Sequence, residues 1–173
     1  MNKRLIVLWA VRVILIALIL CWMVTIFGFS AADGVESSSL SDRITIKVVH
    51  FLKSGYEKLS ADAQEQFLNQ VSFFVRKTGH FGEYGILAVL WSLLLLSFEK
   101  IRNTGWRIRL IIPTVICFAY ALSDEFHQGF VDGRTPKFLD VIIDTVGGLA
   151  GTAVILMIWL IFRRKNERLG TKC

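Results

Sequence analysis

The chain is poor in the residues that usually carry redox or metal chemistry. Its 173 residues include only 3 cysteines and 3 histidines. Cys21 and Cys117 stand inside apolar runs and Cys173 lies far from both, so there is no CxxC, no metal-knuckle spacing and no disulfide framework. Acids are also scarce: 14 against 20 bases, a formal charge of +6. Those bases lie beside apolar segments instead of forming one stripe interleaved with exposed aromatics, which excludes nucleic acid as the expected partner. No internal repeat stands out, and the ESSSLS stretch at 36–41 is too short to be a low-complexity domain. With only 2 prolines, 54% hydrophobic residues and a mean hydropathy of +0.54, the composition is that of a membrane protein.

A bilayer core takes about 20 mostly apolar residues in a helix. Four segments approach that length, at about 8–29, 80–98, 107–126 and 141–162. The fold class expected is therefore all-α, a bundle of four transmembrane helices in a single domain. The third segment is apolar only from Ile108 to Leu122 and must borrow the polar turn Ser123 to His127 to cross. The first has the basic start of a signal peptide, but its apolar run exceeds the roughly 7–15 residues of such a region, so it reads as a retained helix.

Lys and Arg accumulate in short cytoplasmic segments. The N-terminus (Lys3, Arg4), the loop KIRNTGWRIR and the tail from Arg163 are all basic, which puts both termini inside. Ser30 to Lys77 has six acids and six bases, and Asp124 to Asp144 five acids and two bases; these two segments belong outside. The outer segment 40–76 reads as two amphipathic helices. Ile44, Val48, Phe51 and Leu52 make one apolar stripe, Gly55 permits a break, and Ser60 starts a second helix with Phe67, Leu68, Val71, Phe74 and Val75. Such helices either lie on the outer leaflet or pack over the crossings.

The outer ends of three crossings hold the polar residues that apolar helices seldom carry. His80, Glu83 and Tyr84 follow Arg76 at helical spacing and share one side of the second crossing. Tyr120, Asp124 and His127 share a face of the third, flanked by Ser123, Glu125 and Gln128, and the fourth begins with Asp140 and Asp144, one turn apart. Ionisable groups at membrane depth face protein or water and pair with one another. The bland reading is a self-neutralised network, with Arg76, Lys77 and Arg134 balancing the carboxylates and fixing helix register.

Three functional readings stand beside it. His80 with Glu83, and Asp124 with His127, are i, i+3 pairs that could share a divalent metal. His127 and a carboxylate, drawn from Glu83, Asp124, Glu125, Asp140 and Asp144, could instead do acid–base work on a substrate held by Arg134, with His80 a further candidate. Or Arg134, Arg76 and Lys77 could grip a phosphate or carboxylate while Tyr84, Tyr120 and Gln128, with Ser123 beside them, bond polar headgroup atoms without chemistry. Below Asp144, Gly147 and Gly151 form a small-xxx-small pair, and Gly148 with Thr152 another; their packing partner is either a helix of this chain or a second copy in a homo-oligomer.

WMVTIFGFSA, RKTGHFGEYGIL and YALSDEFHQGFVDGRTPKFLDVIIDTVGGLAG together resemble the VanZ-like membrane proteins. The resemblance implies a bacterial plasma-membrane protein of about four helices, similar to one that gives low-level resistance to the glycopeptide teicoplanin. On that basis the expected function is an outer-leaflet polar pocket that binds or modifies a lipid-linked or cell-envelope molecule. A non-catalytic module presenting its outer helices to a partner protein is the alternative.

Overall fold

The structure is a computed structural model; it describes residues 3–31, 34–53, 55–131 and 136–170, and of residues 31, 34–42 and 166–170 the backbone alone. Among the described residues six helices follow in order: α1 Lys3–Ala31, α2 Gly34–Leu52, α3 Ala61–Leu96, the short α4 Glu99–Arg102, α5 Trp106–Gln128 and α6 Phe138–Gly170. A single 3-10 turn, Tyr56–Lys58, enters α3 through Gly55, whose φ of 97° is the left-handed conformation a glycine takes without penalty. The described residues include no strand. Four helices, α1, α3, α5 and α6, are long and apolar enough to cross a membrane, so the chain is an all-α, multi-pass membrane protein.

One expected feature takes a different form. The second outer helix is not separate from the second crossing: α3 runs unbroken for 36 residues, about 54 Å at 1.5 Å per residue, against a hydrocarbon core of about 30 Å. Its first turns therefore reach well beyond one face of the bundle. Ser60 is the N-cap as expected, although its side chain makes no capping bond. Gly79 and Gly82 lie inside the helix without interrupting it. α2 packs back on this projecting part through one side. Thr45 and Val49 are buried, with Val71 of α3, while Ile44, Phe51 and Leu52 are exposed.

The centre of the bundle is the pair α3 and α6. A Cβ on Gly147 would overlap the carbonyl oxygen of Phe81, and one on Gly151 that of Gly85. Backbone thus lies on backbone over two turns, which only glycine allows. The partner of the small-xxx-small pair is α3 of the same chain. The second pair serves α5: a Cβ on Gly148 would come within 3.0 Å of the Cβ of Cys117, and the buried Thr152 satisfies its hydroxyl on the Gly148 carbonyl at 2.9 Å. Tyr84, Leu87, Ala88, Cys117, Ala121 and Val141 complete the core between the three helices.

α1 is held more lightly. Among its described residues only Ile19, Ile26 and Ser30 are buried, Leu15, Trp22 and Met23 pack partly on the core, and much of its remaining apolar surface is left for lipid. Polar anchors fix its height. Trp22 donates from Nε1 to the Glu83 carbonyl at 2.9 Å, and Tyr120 donates its hydroxyl to the Met23 carbonyl at 2.7 Å. At the other end Arg12 donates to Ser97 Oγ at 3.1 Å and to the Ser97 carbonyl at 2.8 Å, capping the end of α3. Its guanidinium also lies over Phe98, 4.0 Å from the ring centre.

The glycine contacts set up a test in which two effects oppose. An exposed helical Gly→Ala gains up to about 1 kcal/mol in propensity, whereas overpacking a close contact costs roughly 1–3 kcal/mol. At Gly151 packing should win. Gly151→Ala is expected to lower the thermal unfolding midpoint of the detergent-solubilised protein, while Gly82→Ala, where a Cβ meets nothing within 4 Å, leaves it unchanged or raises it.

Candidate functional site

The polar residues picked out in the sequence gather at the end of the bundle where α3 projects. Tyr84 is wholly buried, and Asp144, Asp124, Glu125 and Gln128 are buried beside it or one turn away. The close approach of α3 and α6 at Phe81 and Gly147 puts His80 opposite Asp144, with Nδ1 3.6 Å from the carboxylate. From α5, Asp124 comes into electrostatic range of Glu83, Tyr84 and Asp144. Its other oxygen accepts a hydrogen bond from Gln128 Nε2 at 3.3 Å. Three helices therefore contribute one carboxylate each, Glu83, Asp124 and Asp144, around a tyrosine ring.

Tyr84 is central to this arrangement. Its ring stacks at a tilt against Tyr120, with centroids 6.0 Å apart, but the two phenols differ. Tyr120 spends its hydroxyl on the Met23 carbonyl; the Tyr84 hydroxyl is buried and has no hydrogen-bond partner among the described residues. A buried hydroxyl without a partner costs on the order of 1–3 kcal/mol.

Around this centre the remaining carboxylates are engaged. Lys77 forms an ion pair with Asp140, and Glu125 accepts the backbone N–H of Lys137 at 2.7 Å, tying the start of α6 to α5. Glu125 also lines a groove of about 450 Å³ between the ends of α5 and α6. Leu122, Phe126, Phe130, Phe138 and Val141 give that groove apolar walls, and the three phenylalanines are strongly exposed at its rim. Its volume lies in the range of about 300–1,000 Å³ common for ligand sites. Because Glu125 also interacts electrostatically with Asp144, the groove opens beside the carboxylate cluster.

Not every expected residue joins the centre. Ser123 is exposed and bonds the Tyr120 carbonyl of its own helix at 2.8 Å, and Arg76 is exposed on α3. His127 is half-buried against Phe27 of α1, ring centroids 4.2 Å apart, and its Nδ1 has no hydrogen-bond partner among the described residues. Arg134 lies outside the described residues. Among those described, no three His, Cys, Asp or Glu side chains come together in a metal-holding group, so the i, i+3 pairs His80–Glu83 and Asp124–His127 do not assemble into one coordination site.

Sequence reasoning gave α1 no part in the site, yet Trp22 and Phe27 touch its members and Met23 fixes Tyr120 through a backbone carbonyl. An acceptor carbonyl has no residue-type signature. The only signal was the WMVTIFGFSA stretch, which holds all three residues and belongs to the resemblance.

No curated protein and no solved structure matches the chain. Residues 15–163, which include α3, α5, most of α1 and α6 and every described member of the cluster, match the model of the family described as VanZ/LLP1. The chain belongs to the VanZ/LLP1 family.

Proposed function

We propose that this protein sits in a bacterial plasma membrane with both termini in the cytoplasm and its carboxylate cluster at the outer leaflet. There it binds or modifies a lipid-linked or cell-envelope molecule. The teicoplanin resistance associated with the family then arises from altered access of the glycopeptide to the envelope. The orientation rests on the basic loop and tail at the end of the bundle away from the cluster.

The observation that carries the reading is a juxtaposition of two unlike surfaces. Tyr84, Asp124 and Asp144 are buried and, with the half-buried Glu83, form a polar centre with an unpartnered phenol, and Glu125, next to Asp124, lines an apolar groove walled by Phe126, Phe130 and Phe138. Such a pair suits an amphiphile whose polar group meets the carboxylates while its chain stays in contact with lipid. A network that only fixed helix register would need neither the groove nor an unpartnered hydroxyl. Three carboxylates in a low-dielectric setting also favour a ligand with hydroxyl or amino donors over an anion. Glu83 and Asp124 are the groups best placed for proton transfer to or from such a ligand, and Arg134 remains the candidate for holding a phosphate.

The second reading, a module that presents its projecting helices to a partner, is favoured by one feature. Phe51 is 88% exposed and Leu52 62% on α2, with Phe74 67% exposed on α3. The two readings separate by mutation. Asp124→Asn, Asp144→Asn and Glu83→Gln, expressed at native levels in a teicoplanin-sensitive host, are each expected to return the inhibitory concentration to that of the host without the gene. Phe51→Ser with Leu52→Ser should leave it unchanged. Full resistance in all three cluster variants, with loss in the α2 variant, would reverse the choice.

Topology has its own check. In a form with Cys21, Cys117 and Cys173 replaced by Ser, a cysteine introduced by Thr135→Cys should react with a membrane-impermeant maleimide on intact cells. One introduced by Thr104→Cys should react only after permeabilisation. The opposite pattern would place the cluster in the cytoplasm and remove the proposed function.

A further inference from the structure

At the opposite end of the bundle from the carboxylates, Arg109 sits in the first turn of α5 and is only 8% exposed. Its guanidinium stacks on Trp159 of α6, 4.1 Å from the ring centre. Stacking uses the face of the guanidinium and leaves its N–H groups pointing outward in the plane. Those groups find no acceptor: Nε and Nη1 are buried and have no hydrogen-bond partner among the described residues. A buried cation without oxygen acceptors is among the more costly features a protein can keep.

The charged neighbour recorded for it has the same sign. Arg163, one turn after Trp159, lies over the same ring at 5.3 Å and interacts electrostatically with Arg109. α5 starts here from Gly105 with no side-chain cap, so the positive end of the helix dipole adds to both guanidiniums. Trp106, exposed beside them with Arg107 over its ring, gives this end an interfacial anchor. Ser92, whose buried hydroxyl also lacks a partner among the described residues, lines with Arg109 a void of about 10 Å³. That volume holds about one water, too little for a tetrahedral anion. An anion must therefore reach Arg109 from the membrane surface, past the exposed Arg163.

We infer that Arg109, Arg163 and the start of α5 form a binding site for a phosphate-type anion at the end of the bundle opposite the carboxylate cluster. The source fitting its depth is the headgroup phosphate of an anionic phospholipid in the leaflet at that end, with Trp159 and Trp106 beside the glycerol region. A soluble phosphate offers the same chemistry. The site rests on no part of the function proposed for the other end, and Asp124→Asn should leave it intact.

The test has two arms. The full chain is placed in nanodiscs of phosphatidylcholine mixed with phosphatidylglycerol, and the lipid retained on release is measured by native mass spectrometry. In parallel, inorganic phosphate binding is titrated on protein in uncharged detergent. Native protein should retain phosphatidylglycerol in preference to phosphatidylcholine. Arg109→Gln should cut that preference by about tenfold, as loss of one charge-assisted hydrogen bond predicts. Arg109→Lys, which keeps the charge but not the planar fork, and Arg163→Gln should lie between. Phosphate binding in detergent that Arg109→Gln abolishes, with no lipid preference, would assign the site to a soluble anion. Absence of both, or equal behaviour in native protein and the variants, overturns the inference. Should Arg109→Gln not yield folded protein, native-like retention in Arg163→Gln overturns it alone.

Discussion

The close approach of α3 and α6 governs the rest of the structure. Two glycines one turn apart, Gly147 and Gly151, let the α6 backbone rest on the carbonyls of Phe81 and Gly85. In a bilayer there is little hydrophobic gain from bringing helices together, because lipid tails are as apolar as leucine; close van der Waals contact has to supply it. The contact also fixes a distance. Asp144 lies one turn from Gly147, and His80 and Tyr84 flank Phe81, so the spacing of the backbones decides how closely the polar side chains meet. A bulkier residue at 147 would meet the Phe81 backbone and spread the helices that hold Asp144 opposite His80.

The two ends of the bundle are electrostatic opposites. One gathers Glu83, Asp124, Glu125 and Asp144 within mutual range, and Lys77 and His80 offset part of that charge. The other holds Arg12, Arg109 and Arg163 against aromatic rings: Arg12 over Phe98, and both Arg109 and Arg163 over Trp159. Arg12 finds oxygen acceptors at the end of α3. Arg109 does not. Each end thus carries buried polar groups that the chain's described residues do not satisfy, and each is suited to a partner of opposite character.

Much of this was legible because polar residues break an apolar pattern. Glu83, Asp124 and Asp144 were conspicuous in runs where an unpaired charge is costly, and Gly147 with Gly151 announced a close contact by spacing alone. Other features left no mark of that kind. α3 is continuous because nothing between Ser60 and His80 ends a helix, yet its apolar stripe changes partner on the way from α2 to α6, so it read as two elements. Thr45 and Val49, not Ile44 and Phe51, face α3, since a stripe shows which side is apolar and not which neighbour it meets. Ser123 was grouped with Asp124 by proximity in sequence, but adjacent residues on a helix point about 100° apart, and its side chain turns outward. Arg109 looked like one more base in a cytoplasmic loop. Its burial depends on Trp159, 50 positions further along the chain.

The unbroken length of α3 has a mechanical consequence. A single rigid rod carries, at one end, the surface on which α2 rests through Val71, and further along, His80, Glu83 and Tyr84. No hinge separates them. Because the helix is continuous, a tilt of the projecting segment on which α2 rests is coupled to the position of His80, Glu83 and Tyr84. The projecting segment is in that sense a handle on the interior.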